Sequence, residues 1–141
     1  MSGAPSSITG RCLCGGVTYK ADAEPVIQAV CHCTECQRQT ANPFSIVVGV
    51  PEAAFHVEGD TLATYTTTNS DSGDDTVRHF CSACGSPLFT LTASAPGVVI
   101  IKAGSLDDFS WFEPTVEVWT GSAQPWAPHF EKAAQLERGP G

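Results

Sequence analysis

The sequence predicts a single, mostly-β domain of antiparallel strands, and three observations carry that expectation. Short stretches rich in β-branched and aromatic residues recur along the chain, and Pro43, Pro51, Gly59, Pro87, Gly97 and Pro114 punctuate them. The length of 141 residues suits one domain with a real core, and a hydrophobic fraction of 42% with 16% charged residues is that of a globular chain. All seven cysteines fall in three clusters that would bring separate segments together.

Residues 1–7 read as a flexible lead-in, 8–130 as the single domain, and 131–141 as a C-terminal tail whose closing LERGPG is expected to fray. The first strand is read at 16–23, GVTYKADA, where Val17, Tyr19 and Ala21 alternate with polar neighbours. A helical turn is expected at 34–39, directly after two closely spaced cysteines. Further strands are predicted at 44–50, 54–57, 62–66, 77–80, 88–92, 98–102 and 116–119. The polar run TTTNSDSGDD, 66–75, reads as an exposed loop.

The net charge of −8, with seven basic residues and no two adjacent, excludes an extended nucleic-acid surface. The opening MSGAPSSITG has neither a basic start nor an apolar run, and the run Val98 to Ile101 is a buried-strand stretch far too short to cross a membrane. A cytoplasmic protein with no membrane partner is therefore expected. Thiols stay reduced there, which favours metal binding over disulfides.

The clusters are Cys12 and Cys14, each side of Leu13; Cys31, Cys33 and Cys36 in CHCTEC; and Cys81 and Cys84 in CSACG. An odd number leaves one cysteine over in any disulfide framework, and C-x-C spacing is awkward for a bridge. Zinc is tetrahedral and accepts thiolates. Four thiolates close a structural site and three leave a position open, so two zincs per chain are expected. Cys31, Cys33 and Cys36 can wrap one ion while Cys12, Cys14, Cys81 and Cys84 close the other. A competing partition joins Cys31 and Cys36 to Cys81 and Cys84, at the cost of splitting the triad. Gly15 and Gly85 follow the two outer pairs, where positive φ lets the backbone turn toward the sulfurs.

The two sites differ in expected chemistry. A saturated zinc contributes folding free energy, on the order of 10 kcal/mol or more. A three-thiolate zinc carries net negative charge and is a poor acid for bound water, but it hosts a soft fourth ligand. This points to a small thiol substrate held as thiolate, with the three cysteines serving a catalytic zinc.

Four segments, GRCLCGGVTY, CHCTECQRQTANPF, RHFCSACGSPLF, and KAGSLDDF with EVWTGSAQPW, resemble the glutathione-dependent formaldehyde-activating enzyme family, relatives of which include centromere-protein-V-like proteins. The resemblance spans nearly the whole chain. It implies a β-tent fold, a structural zinc at Cys12, Cys14, Cys81 and Cys84, and a second zinc at Cys31, Cys33 and Cys36. It also implies a carbon–sulfur lyase that joins glutathione and formaldehyde to give S-hydroxymethylglutathione. The alternatives are a family enzyme acting on another thiol and a non-catalytic zinc-stabilised binding module. The fourth ligand of the second zinc discriminates between enzyme and module. Glu117 departs from the pattern, since relatives often carry His there.

Other residues are read more plainly. His32 is expected to turn away from the metal, and His79 to pack. Glu35 is expected to be solvated, with a role as proton acceptor as its alternative. Arg38 is the cation nearest the triad in sequence and a candidate to meet a glutathione carboxylate. Asp107 and Asp108 are expected in a turn, and Trp111, Trp119 and Trp126 in the core or at its rim.

Overall fold

The structure, a computed structural model of the full chain, describes residues 3–68 and 73–139. In chain order its strands are β1 (Ile8–Arg11), β2 (Thr18–Ala21), β3 (Ile27–Cys31), β4 (Ser45–Pro51), β5 (Phe55–Glu58), β6 (Leu62–Thr68), β7 (Asp75–Cys81), β8 (Pro87–Thr92), β9 (Val98–Lys102), β10 (Val116–Val118) and β11 (Ala134–Gln135). One helix, α1 (Thr34–Thr40), follows β3. The smaller sheet runs β1-β2-β5 and the larger β11-β10-β3-β4-β9-β8-β7-β6. Pairing is antiparallel except at β10, which runs parallel to both β3 and β11. The domain is mostly β, as expected.

The two sheets meet over one core. Alternation buries Ile8 on β1 and Tyr19 and Ala21 on β2, and these pack with Val48, Val50, Phe89, Val99 and Ile101 of the larger sheet. Burying such side chains stabilises the fold by about 1.5–3 kcal/mol each. The Tyr19 hydroxyl, too deep for water, lies 2.6 Å from Ser105 Oγ. Burial pushes its pKa up; the Ser105 hydrogen bond opposes that shift and Asp107 adds to it.

The eight strands and the helical turn read from the sequence all form, with ends shifted by a few residues. Three strands carry no such signal. β3 is buried on both faces at Ala29 and Val30, which removes the alternation. β1 contains Gly10, a poor strand former; a Cβ there would run into the Tyr19 ring and the Ser105 carbonyl. β11 is two residues long. The run 66–75 is not all loop, since β6 and β7 pair as far as Thr68 and Asp75; residues 69–72 lie outside those described.

Of the closing LERGPG, residues 136–138 are held rather than frayed, and 140 and 141 lie outside those described. Leu136 N donates to Glu117 O, while Trp119, Thr120 and Gly121 donate to the carbonyls of Arg138, Leu136 and Glu137. The Arg138 guanidinium sits 5.0 Å from the Trp119 ring centre. These backbone partners are invisible in LERGPG as a string. No helix among the described residues is long and apolar enough to cross a membrane.

Candidate metal centres

Folding sorts the cysteines into four and three. The ligand atoms of Cys12, Cys14, Cys81 and Cys84 lie within 4.8 Å of one another, as do those of Cys31, Cys33 and Cys36. The partition that would have split the triad does not occur. All seven are free thiols.

The four-sulfur cluster joins the turn after β1 to the turn after β7. Gly15 and Gly85 take φ of 78° and 79°, and their N–H groups close the turns onto Cys12 O and Cys81 O at 3.1 and 2.7 Å. Gly16 N and Val17 N donate to the sulfurs of Cys14 and Cys12. The Cys12–Cys14 and Cys14–Cys81 sulfur distances are 3.6 and 3.8 Å. A tetrahedral zinc with bonds near 2.3 Å requires about 3.8 Å between sulfurs. The cluster therefore fits zinc in both donor chemistry and spacing. The Ser86 hydroxyl leads the causes that lower the Cys84 thiol to about 5, so part of the ligand set ionises readily.

The triad is local. Cys31 ends β3, and Cys33 caps α1, its sulfur accepting the Cys36 N–H at 3.3 Å. Hydrogen bonds from Cys31 and then Cys33, reinforced by Lys102 and Arg78, outweigh burial and hold the Cys36 thiol well below its ordinary range. Hydrogen bonding to Cys33 and Cys36, followed by burial, pushes Cys31 up.

A buried clamp holds this loop from behind. His32 turns from the sulfurs, as expected, and its Nε2 lies 2.7 Å from Glu117 Oε1. His129 Nδ1 reaches the same oxygen at 2.9 Å, and Phe130 N donates to Oε2 at 2.6 Å. Burial alone would raise the Glu117 carboxyl, but Phe130, His32 and His129 together hold it below the usual range. These three side chains could in principle hold a metal. Their contacts are hydrogen-bond lengths, shorter than the roughly 3.3 Å between ligand atoms on a tetrahedral ion with bonds near 2.0 Å. The group is therefore a hydrogen-bonded carboxylate. Gln37 completes the clamp, donating to His32 O and Ser122 O while accepting from Gln124. Glu117 was legible only as a departure; His129 lay outside the quoted segments, and Gln37 and Gln124 lay inside them without a role assigned.

A cleft of about 720 Å³ opens one strand position from the triad; Cys12 of the four-sulfur cluster lines it, and none of the three triad cysteines does. Ser45, opposite Cys31 in register, lines it, as do Phe44, whose ring meets that of His32, and Thr40, whose hydroxyl donates to Cys36 O. Its two cations are Arg11 and Lys102, the latter 2.9 Å from Ser45 Oγ. Arg38, the expected carboxylate partner, lies exposed on α1 and does not line the cleft. Glu35 accepts from Thr34 on the same helix at 3.1 Å. His79 stacks on Phe89, with ring centres 4.2 Å apart. Asp108 makes the expected turn, accepting from Ser110, while Asp107 accepts from Thr9. Trp111 and Trp119 are partly buried and Trp126 is exposed.

Comparison with known proteins adds a family and a shared fold. A family model described as "Glutathione-dependent formaldehyde-activating enzyme" matches residues 7–122. The crystal structure of a Rhodobacter sphaeroides protein superposes with a TM-score of 0.58 at 19% identity, over 72% of this chain and 90% of that one, and so shares the fold. No curated protein matches.

Proposed function

The chain belongs to the glutathione-dependent formaldehyde-activating enzyme family, and from that premise we propose that it is a zinc-dependent carbon–sulfur lyase that makes or breaks S-hydroxymethylglutathione. One observation carries the reading: three convergent thiols have no fourth His, Cys, Asp or Glu ligand among the described residues, and Ser45, the strand partner of Cys31, lines a cleft. In the reading, Cys12, Cys14, Cys81 and Cys84 hold a structural zinc, and Cys31, Cys33 and Cys36 hold the catalytic one. A zinc on three thiolates supplies a soft acid that keeps a small thiol ionised at neutral pH.

The chain's own residues do the rest. Phe44, Ile46 and Leu106 give the cleft apolar walls that restrict water, and Arg11 and Lys102 put positive charge where glutathione carboxylates and the carbonyl oxygen would lie. In the forward direction the substrate sulfur attacks the carbonyl carbon, and the carbon–sulfur bond forms as the carbonyl π pair moves to oxygen. That oxygen takes up the equivalent of the proton the thiol lost. The Glu117 clamp keeps the cysteine loop from shifting during the exchange.

A non-catalytic module would complete the second site with water or with a side chain such as a histidine, and His32, the side chain between two of the ligands, is committed to Glu117. Carbon-13 exchange spectroscopy on formaldehyde and glutathione tests the proposal. Exchange should exceed the uncatalysed rate with the native chain and fall back to it with Cys33→Ser. Background exchange with both proteins would reject formaldehyde as substrate.

A further inference from the structure

Seven basic residues serve an acidic chain, yet Arg78 and Lys102 are buried, at 6% and 7% exposure. Neither meets a carboxylate among the described residues. The ion pairs there join Lys20 to exposed Asp22, and His32 and His129 to Glu117. A buried cation without an anion is strongly unfavourable, so the missing negative charge has to be found nearby.

Strand register shows where it is. Cys31 pairs with Ser45, Val47 with Lys102, Ile100 with Thr90, and Thr90 with Arg78. Paired residues share a face, as do residues two apart on a strand. One face of five adjacent strands therefore carries a row from the triad through Ser45 and Lys102 to Thr90 and Arg78. Lys102 is tethered at the triad end by Ser45 Oγ. Thr90 is 6% exposed and its hydroxyl is unpartnered, so the row contains polar capacity that the protein itself does not use.

We propose that Lys102 and Arg78 are the counter-cations of the triad centre and select an anionic fourth ligand over a neutral one. This rests on the metal reading of the triad and deepens it. A divalent ion on three thiolates carries one negative charge, and an anionic fourth ligand brings that to two. Two fixed positive charges then leave the buried assembly neutral. A neutral ligand such as water or imidazole leaves one cation uncompensated. The four-sulfur cluster has less need of such a device, because Cys14 is exposed to solvent and backbone N–H groups meet its sulfurs.

The test uses the full chain loaded with cobalt(II), whose visible bands change when a fourth ligand enters the triad; the saturated cluster stays silent. Titration with azide, glutathione and imidazole compares two anionic ligands with a neutral one. Lys102→Met and Arg78→Met should each weaken azide and glutathione binding by about tenfold or more, from loss of one charge that acts on the triad through a medium of reduced dielectric. Imidazole affinity should stay within about twofold. Arg78→Lys should restore anion binding, and Lys20→Met should change nothing. If Lys102→Met does not fold, the Arg78 pair reads the same quantity. Equal weakening of anion and imidazole binding, unchanged anion binding, or no anion binding by the native chain would each overturn the proposal. Azide binding without glutathione binding would support it while rejecting the thiol substrate.

Discussion

The two cysteine clusters use one ligand type in different settings. The four-sulfur cluster ties together turns nearly 70 positions apart, its Cys14 and Cys81 sulfurs 3.8 Å from each other. Cys12 and Cys81 are buried in the core while Cys14 is exposed, and a glycine turn follows each pair. The triad comes from six consecutive residues, so it closes no long loop, and its precision is imported from Glu117 and His129 on other segments and from Gln37, which ties α1 to Ser122. On the proposed reading, a cluster that only adds stability draws its ligands from a strand end and two turns. On the same reading, a site that keeps a ligand position open has a wall behind it.

The comparison breaks most visibly at Cys84→Ser. Loss of a ligand from the long-range cluster removes much of a metal contribution on the order of 10 kcal/mol, comparable to the whole stability of a domain. Thermal melts should show a chain that no longer folds cooperatively at ambient temperature. A melt as high as the native one would make that cluster dispensable.

Glu117→Ala should come second, at about 3 kcal/mol, because it leaves two buried or half-buried histidine N–H groups and the Phe130 N–H without their acceptor. Denaturant titration measures it. The native carboxyl is held below the ordinary glutamate range, so its stabilisation is present above the unfolded pKa of about 4.3 and is lost as pH falls through the lower folded value. The difference in stability between native chain and variant should therefore shrink on acidification below about pH 4, thiolate titration being common to both.

Cys33→Ser should cost least, below about 1 kcal/mol in scaffold stability, since a serine oxygen can still accept the Cys36 N–H and cap α1. Circular dichroism melts should remain near native while glutathione no longer perturbs the cobalt spectrum. Collapse equal to that of Cys84→Ser would show that the triad, too, holds the fold.

Much of this was legible in the string. Cysteine spacing separated three ligands from four, and the strands with clear alternation formed where expected. The clamp was not legible, for a physical reason. Glu117 acts across 85 positions on His32, and its partner His129 lies in a stretch with no period or motif. Arg78 and Lys102 looked like ordinary strand charges until register placed both on the face that carries Cys31. Sequence spacing reports ligands that are neighbours in the chain; it is silent about groups that become neighbours only through sheet pairing.

The short strand β11 gives the chain end a bearing on the metal site. Its neighbour Leu136 donates to the carbonyl of Glu117, the residue whose side chain steadies His32, and the next two carbonyls receive the N–H groups of Gly121 and Trp119. A protease that trimmed residues 134–139 would touch no cysteine and remove little of the core. It would still take away the backbone partners that fix β10 from outside, and the triad would slacken from behind. On the proposed reading, loss of β11 would thus register first as lost ligand affinity at the triad, before the fold itself gave way.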